Sequence, residues 1–412
     1  LWINDGKVEI RSAEKIWGLE TGPAQEMIRD ELNEKRARVA LIGPAGENLV
    51  RYACVVNELK HINGRTGMGA VMGSKNLKAV AVRGTKKMDI HDPEKLRDLS
   101  KNLTELIGQH GPSKVYRKLG TPQFVMPLNA QGILPTHNFR TGFFEGAEKI
   151  SGERMTETIL KREEGCYACS VRCKRVVEVS SGPYATSGNY GGPEYETLSS
   201  LGSLLCIDDL AAIAKGHELC NRYTLDTIST GVAIGFAMEC FEKGILTRAD
   251  TEGIEFTFGN PDAMIKAIEW IAFRKPGLGN LLADGVKAAA ARIGQGSERF
   301  ALHIKGQELP MHDPRGKIGQ GLSFAVSPTG ADHVRAPHDT PFQAPGPHLD
   351  RIAPLGILEP VPARELGPRK ARNFTYLHFI WSLYESLGVC NFVAGPVLAL
   401  TLPKLVEVVQ AV

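Results

Sequence analysis

"LKAVAVRGTKKMDIHDPEKL" (77–96) is where the character of this 412-residue chain changes. Its first half, with alternating Ala and Val, reads as a strand closed by Gly84. Its second half reads as a helix start, with Asp92 as N-cap and Pro93 at the first helical position. Upstream the pattern is β-rich. "LWINDGKVEIR" (1–11) reads as strand, turn and strand, and "ARVALIGPAG" (37–46) as a buried strand entering a Gly-Pro turn. Downstream it is mostly helical, over 93–109, 115–127, 155–163, 194–222, 226–243, 261–275 and 279–293. Residues 300–345 are rich in Gly, Pro and His and read as irregular. The proline-rich stretch 341–370 reads as a long surface loop. A helix over 371–390 ends in "ESLGVC", and the last segment, "VLALTLPKLVEVVQAV" (397–412), is apolar and helix-like. No solenoid repeat is present. The expected class is α+β.

Composition narrows the function. With 49 basic and 46 acidic residues the formal charge is +3, which gives no reason to expect nucleic acid or an anionic membrane as partner. No apolar run reaches the roughly 18 residues a membrane span needs. The most apolar stretch, "TGVAIGFAMECF" (230–241), reads as a buried core helix. Leu1 is not an initiator methionine and no signal peptide is visible, so the chain is expected to begin inside a domain. Eight cysteines in a chain of this size do not suggest a disulfide framework, and a reducing cytoplasm fits them best. Cys54, Cys206, Cys220 and Cys240 lie in apolar surroundings and read as small buried hydrophobes.

The other four differ. "CYACSVRC" (166–173) places Cys166, Cys169 and Cys173 at C-x2-C-x3-C spacing. Two thiolates three apart grip one edge of a metal centre from a turn, and a third closes a face. Structural zinc and a [4Fe–4S] cluster both suit this pattern. Lys161, Arg162, Arg172, Lys174 and Arg175 would offset a cluster's negative charge, or simply form a solvated basic face. Cys390, after Gly388, is the candidate fourth ligand.

Five motifs in order, with "MHDPRGKIGQGLSFAVSPTGADH" (311–333) as a sixth, resemble the tungsten-containing aldehyde:ferredoxin oxidoreductase family. They are "GRTGMGAVMGSKNLKAVAVRGT" (64–85), "CYACSVRC" (166–173), "GGPEYET" (191–197), "NRYTLDTISTG" (221–231) and "ESLGVC" (385–390). The resemblance implies a partial N-terminal β domain over 1–89, a saddle for a bis-pterin. A helical domain with the cysteine motif follows over 90–299, then a second, incomplete helical domain over 300–412. It implies that Cys166, Cys169, Cys173 and Cys390 hold a [4Fe–4S] cluster. It also implies that the first part of the β domain and a C-terminal piece are missing from this chain.

For the pterin, the resemblance implies contacts from Gly64 and Arg65, where His61 and Ile62 depart from the usual arginine and alanine. Gly64, Gly67 and Gly69 would turn backbone N–H groups to phosphates, and Arg65 supplies a forked donor. Two further motifs of the form D-x-x-G-L-(D/C) fall on Asn221, Leu225 and Asp226, and on Glu385, Val389 and Cys390. Asn221, Thr224 and Glu385 are departures from it. Asp226 also reads as the N-cap of the next helix. Mg2+ is a candidate bridge between the pterin phosphates. Glu196 and His333 match the positions next to tungsten or molybdenum. There a carboxyl kept from water suits proton transfer near neutral pH, and a histidine can protonate or orient a carbonyl oxygen. His312 and Arg315 are candidates for the same pocket. No metal between subunits is expected.

The implied activity is oxidation of an aldehyde to a carboxylic acid, with ferredoxin or an electron-transfer subunit as partner and with homodimer formation open. One alternative is the tungsten-pterin subunit of a benzoyl-CoA-type acyl-CoA reductase. Another is a non-catalytic protein with a structural four-cysteine zinc site.

Overall fold

The computed structural model describes residues 1–394 and 399–412. They form two compact units, each discontinuous in sequence. The first comprises residues 1–86, 124–162 and 175–311, and the second residues 87–123, 163–174 and 312–412.

The first unit is built on a six-stranded sheet. β1 (Trp2–Asn4), β2 (Lys7–Glu9), β3 (Arg38–Leu41), β4 (Val55–Asn57), β5 (His61–Asn63) and β6 (Ala79–Arg83) pair in the order β2-β1-β6-β3-β4-β5. Every pair is antiparallel except β1 with β6. Val39 and Leu41 point to one face, as alternation requires, opposite Ala81 and Ala79 in register. They form a core with Trp2, Ala24 and Ile28, the last two from helix Thr21–Glu31. The strand–turn–strand start and both internal strands of the sequence reading are present. Strands β7 (Leu160–Glu164) and β8 (Lys174–Val177), which flank the cysteine motif in sequence, pair as a two-stranded ribbon.

Helix Thr227–Glu242 is the centre of the helical part. It is buried on nearly every side, as its uniformly apolar sequence dictates. It runs against helix Tyr195–Leu201, and a Cβ at Gly231 would lie 2.4 Å from the Ser200 carbonyl oxygen. Only glycine lets these backbones approach so closely.

The second unit joins helices Pro93–Gln109, Gly111–Leu119, Ile318–Val326, Pro368–Ser386 and Leu402–Ala411. Asp92 caps the first of these through Lys95 N–H at 3.0 Å, as expected. Its cores gather Ile380, Trp381, Tyr384 and Leu405 in one cluster, and Phe342, Leu349, Ile352 and Leu377 in another.

Several expected helices are interrupted. The 115–127 segment breaks at Gly120, whose φ is 67°. The 155–163 segment ends at Thr158 and becomes β7. The 194–222 segment breaks after Leu201, and Cys206 takes a left-handed conformation with φ of 58°. The 279–293 segment breaks at Gly285, with φ of 82°. Conversely, the region read as irregular contains helix Ile318–Val326. The expected C-terminal helix spans Leu402–Ala411, and residues 397 and 398 lie outside the described residues. Cys54, Cys220 and Cys240 are buried as expected, whereas Cys206 is half-buried. Among the described residues no helix is long and apolar enough to cross a membrane.

Candidate cofactor site

In the first unit, Arg65 and Asp226 meet. Arg65 Nε lies 3.2 Å from Asp226 Oδ2, and Arg65 Nη2 donates to the Glu308 carbonyl at 2.5 Å. The two side chains are 10% and 6% exposed, so the pair is largely withdrawn from water. Asp226 also caps helix Thr227–Glu242, accepting from Ile228 N–H, Ser229 N–H and Ser229 Oγ at 3.1, 3.3 and 2.9 Å. Its cap and ligand-facing readings are therefore compatible, since one carboxylate offers about four lone-pair sites. Gly64 stands in open space, where a Cβ would find only Ile62 Cγ2, at 3.8 Å.

The neighbouring glycines have another reason. A Cβ at Gly67 would sit 2.1 Å from the Arg51 carbonyl oxygen, and one at Gly69 2.3 Å from that of Cys54. Gly69 N–H is spent on Ala53 O at 2.9 Å. The expectation that Gly69 turns its N–H to a phosphate is therefore corrected: it is there for close backbone packing.

Asn221, on helix Leu210–Tyr223, donates its amide to Tyr190 O at 2.9 Å and lies 3.2 Å from His217 Nε2. Leu225 is buried and bridges Ala53. Between them Thr224 adopts φ of 68°, where glycine is ordinarily preferred. Its side chain offsets the strain, accepting from Gly43 N–H at 2.9 Å, while its carbonyl accepts from Cys54 N–H at 2.7 Å. Glu196, in the first turn of helix Tyr195–Leu201, accepts Met311 N–H at 2.9 Å, and Tyr195 Oη donates to Met311 O at 2.5 Å.

Sequence reasoning missed Glu308. It is 3% exposed, and burial holds its carboxyl above the usual range against the pull of Val286 N–H, the Ser229 hydroxyl and Arg65. Nothing in the two-residue strand that carries it signals this.

In the second unit, the cysteine loop and Cys390 come together. The loop is turned by Cys169 N–H to Cys166 O at 3.1 Å and by left-handed Ala168 and Arg172, each with φ of 54°. Cys169 and Cys173 pack against a small core of Ile107, Val171 and Ala399, with Tyr116 and Val393 beside it. Partial burial pushes the Cys390 thiol up, and the nearby Cys169 and Cys166 add to this, against the backbone N–H groups of Phe392 and Val393. Burial likewise pushes the Tyr116 hydroxyl up, with Cys173 and Cys390 next in importance. Three loop thiols and the Cys390 thiol near one another, two of them resting on an apolar core, fit a cationic metal centre that accepts sulfur.

Of the flanking cations, Arg172 donates to Glu163 O at 3.0 Å, Lys161 pairs with Glu178, and Arg175 is only 2% exposed. A uniformly solvated basic face is therefore excluded. Glu385 is exposed and pairs with Arg335 at 3.3 Å, while Val389 packs on the Trp381 cluster.

The same unit gathers three histidines. The ring of His312 lies 5.2 Å from that of His333 and 4.3 Å from that of His338. Arg315 pairs with Asp313, at 2.6 Å.

The aldehyde ferredoxin oxidoreductase N-terminal domain model matches residues 1–84, and the model for domains 2 and 3 matches residues 98–412. The chain is 40% identical over 396 residues to a tungsten-containing aldehyde ferredoxin oxidoreductase of Pyrococcus horikoshii, covering 95% of this chain and 62% of that protein. It is 31% identical to an aliphatic sulfonate oxidoreductase WOR-like subunit of Pyrococcus furiosus, covering 96% and 61%. Among solved structures it resembles the active-site complex BamBC of benzoyl coenzyme A reductase with 1,5-dienoyl-CoA. That match has a TM-score of 0.68 and 28% identity, and covers 86% of this chain and 55% of that one. The chain thus spans about 62% of the length of the curated aldehyde ferredoxin oxidoreductases it matches.

Proposed function

Since the chain belongs to the aldehyde ferredoxin oxidoreductase family, we propose that it oxidises an aldehyde to a carboxylic acid at a tungsten (or molybdenum) bis-pterin centre. Electrons then pass through a [4Fe–4S] cluster to ferredoxin. The observation that carries the reading is 40% identity along 95% of the chain to a tungsten-containing aldehyde ferredoxin oxidoreductase. In this reading residues 1–89 are the pterin saddle, 90–299 the first helical domain and 300–412 the second.

An aldehyde and water leave as a carboxylic acid, two protons and two electrons. When bound, the metal–pterin and iron–sulfur groups supply the electron acceptance. The chain's own residues handle protons and orientation. Glu196, oriented by Met311 N–H, is the proposed proton acceptor, and His333 the proposed donor to the carbonyl oxygen. Cys166, Cys169, Cys173 and Cys390 are the proposed cluster ligands. Gly64, Arg65, Asn221, Leu225, Asp226, Glu385 and Val389 are the proposed pterin contacts, with Mg2+ at the phosphates. A cytoplasmic location and a homodimer belong to the same proposal.

Elemental analysis of anaerobically purified protein tests it, followed by aldehyde-dependent dye reduction. About four Fe with one W or Mo per chain supports the reading, and stoichiometric zinc without them overturns it. The structural likeness to the benzoyl coenzyme A reductase complex favours a second reading, reduction of an aromatic acyl-CoA. Activity with CoA esters and none with aldehydes would select it.

A further inference from the structure

Lys317 precedes helix Ile318–Val326 and is 2% exposed. Its Nζ lies 3.0 Å from His312 Nδ1 and 3.4 Å from His338 Nδ1. An ammonium has three protons to donate and no lone pair. Each imidazole nitrogen it meets must therefore offer a lone pair. A neutral histidine that accepts at Nδ1 carries its proton on Nε2. Burial first, then the charges of Lys317 and His333, hold His312 well below its ordinary range, so His312 is neutral.

The frame around this contact is tied together by hydrogen bonds. Gly319 N–H donates to both oxygens of Asp339, at 3.1 and 3.0 Å. Gln320 Nε2 donates to Ala336 O and Pro337 O, at 3.2 and 3.0 Å. The segment carrying His338 is thereby tied to the first turn of the helix that follows Lys317. The adjacent carboxylates have cations of their own: Asp339 pairs with Lys370 and Asp313 with Arg315. His333, 6.4 Å from His338 and 5.2 Å from His312 between ring centroids, belongs to the same cluster.

We propose that Lys317 is a positioning residue that locks His312 and His338 in the Nε2–H tautomer. The histidine cluster then presents hydrogen-bond donors to an oxygen of the substrate, the carbonyl of an aldehyde or the carboxylate it becomes. The identity of that oxygen rests on the proposed function; the tautomers do not.

The test is 15N NMR of histidine-labelled, oxidised full-length protein, beside the kinetics of Lys317→Arg and Lys317→Met. In the wild type both histidines are expected to show a protonated Nε2 and an accepting Nδ1. Lys317→Arg, which keeps a donor, retains the tautomers and most of the rate. Lys317→Met loses the fixed tautomers and at least about tenfold in kcat, with a smaller change in KM. A protonated Nδ1 on neutral His312 or His338 in the wild type overturns the proposal. So does a Lys317→Met variant with unchanged tautomers and rate. If Lys317→Met does not fold, the wild-type spectrum decides. If the wild type oxidises no aldehyde, the proposed function falls, while the spectrum still decides the role of Lys317.

Discussion

Arg65 and Asp226 stand 161 positions apart in sequence and form one ion pair, Nε to Oδ2 at 3.2 Å, inside the first unit. The carboxylate has two duties, since it also caps helix Thr227–Glu242. A cap alone is worth about 1 kcal/mol. Removing one partner of a buried pair costs about 3–5 kcal/mol, because the other charge is left uncompensated. Asp226→Ala is therefore expected to lower the urea-unfolding free energy by several times the cap value. A loss of about 1 kcal/mol would mean that the pair contributes nothing beyond the cap. Asp226→Asn, which keeps a capping oxygen, should fall between.

Glu308 gives a pH signature. Burial raises its folded-state pKa above the unfolded value. The stability linked to its proton is thus fully present below the ordinary carboxylate range and is lost as pH rises from there through the raised value. Glu308→Gln removes the ionisation penalty while keeping an acceptor for Val286 N–H, which now bonds Oε1 at 2.9 Å. The variant is expected to be more stable than wild type at neutral pH, by about 1.4 kcal/mol for every tenfold by which burial tightens the carboxyl's hold on its proton. The gain should vanish at acid pH. Denaturation midpoints from pH 4 to 8 check this, and a gain independent of pH would refute it.

The glycine loop separates packing from binding. Gly67, with φ of 76°, has the Arg51 carbonyl oxygen where a Cβ would go, whereas Gly64 has only Ile62 at 3.8 Å. Gly67→Ala is expected to destabilise the fold by roughly 1–3 kcal/mol or more. Gly64→Ala should leave the melting temperature unchanged and lower tungsten or molybdenum content if the loop contacts a pterin. Equal stability losses in the two variants would show that the loop is purely structural.

Much of this was readable from sequence where local physics decides. The caps at Asp92 and Asp226 are set by one side chain and the next three backbone N–H groups. The strands at 38–41 and 79–83 follow from short apolar runs bounded by turn residues. What was illegible depends on distant partners. Helix Ile318–Val326 begins in a Gly- and Lys-containing turn that Asp339, some 20 positions on, supplies with acceptors. Thr224 holds a glycine-like conformation because Gly43, 181 positions away, bonds its hydroxyl. The two units are assembled from alternating segments; the change from β-rich to helical character marks the junction after residue 86, and no composition shift marks the returns after residues 123, 162 and 174. At the candidate site, Cys166, Cys169 and Cys173 were legible by spacing, whereas Lys317 and Glu308 are informative only through what buries them.

The cysteines allow the sharpest discrimination. Cys166, Cys169, Cys173 and Cys390 share one unit, Cys169 and Cys173 rest on its small apolar core, and Cys169 and Cys166 both act on the Cys390 thiol. Cys240 is buried in the other unit, in helix Thr227–Glu242, and serves as a control. Serine is a poor substitute for a thiolate towards iron. Replacing any one of the four is expected to lower bound iron to well under half of about four per chain and to bleach the visible iron–sulfur absorption. Cys240→Ser should keep the full iron content even if it is less stable. Cys390 decides between ligand sets, because it is remote in sequence from the loop. If Cys390→Ser retains iron while the three loop variants lose it, the fourth ligand lies elsewhere. If all four variants lose zinc rather than iron, the site is structural and the electron path through it is absent.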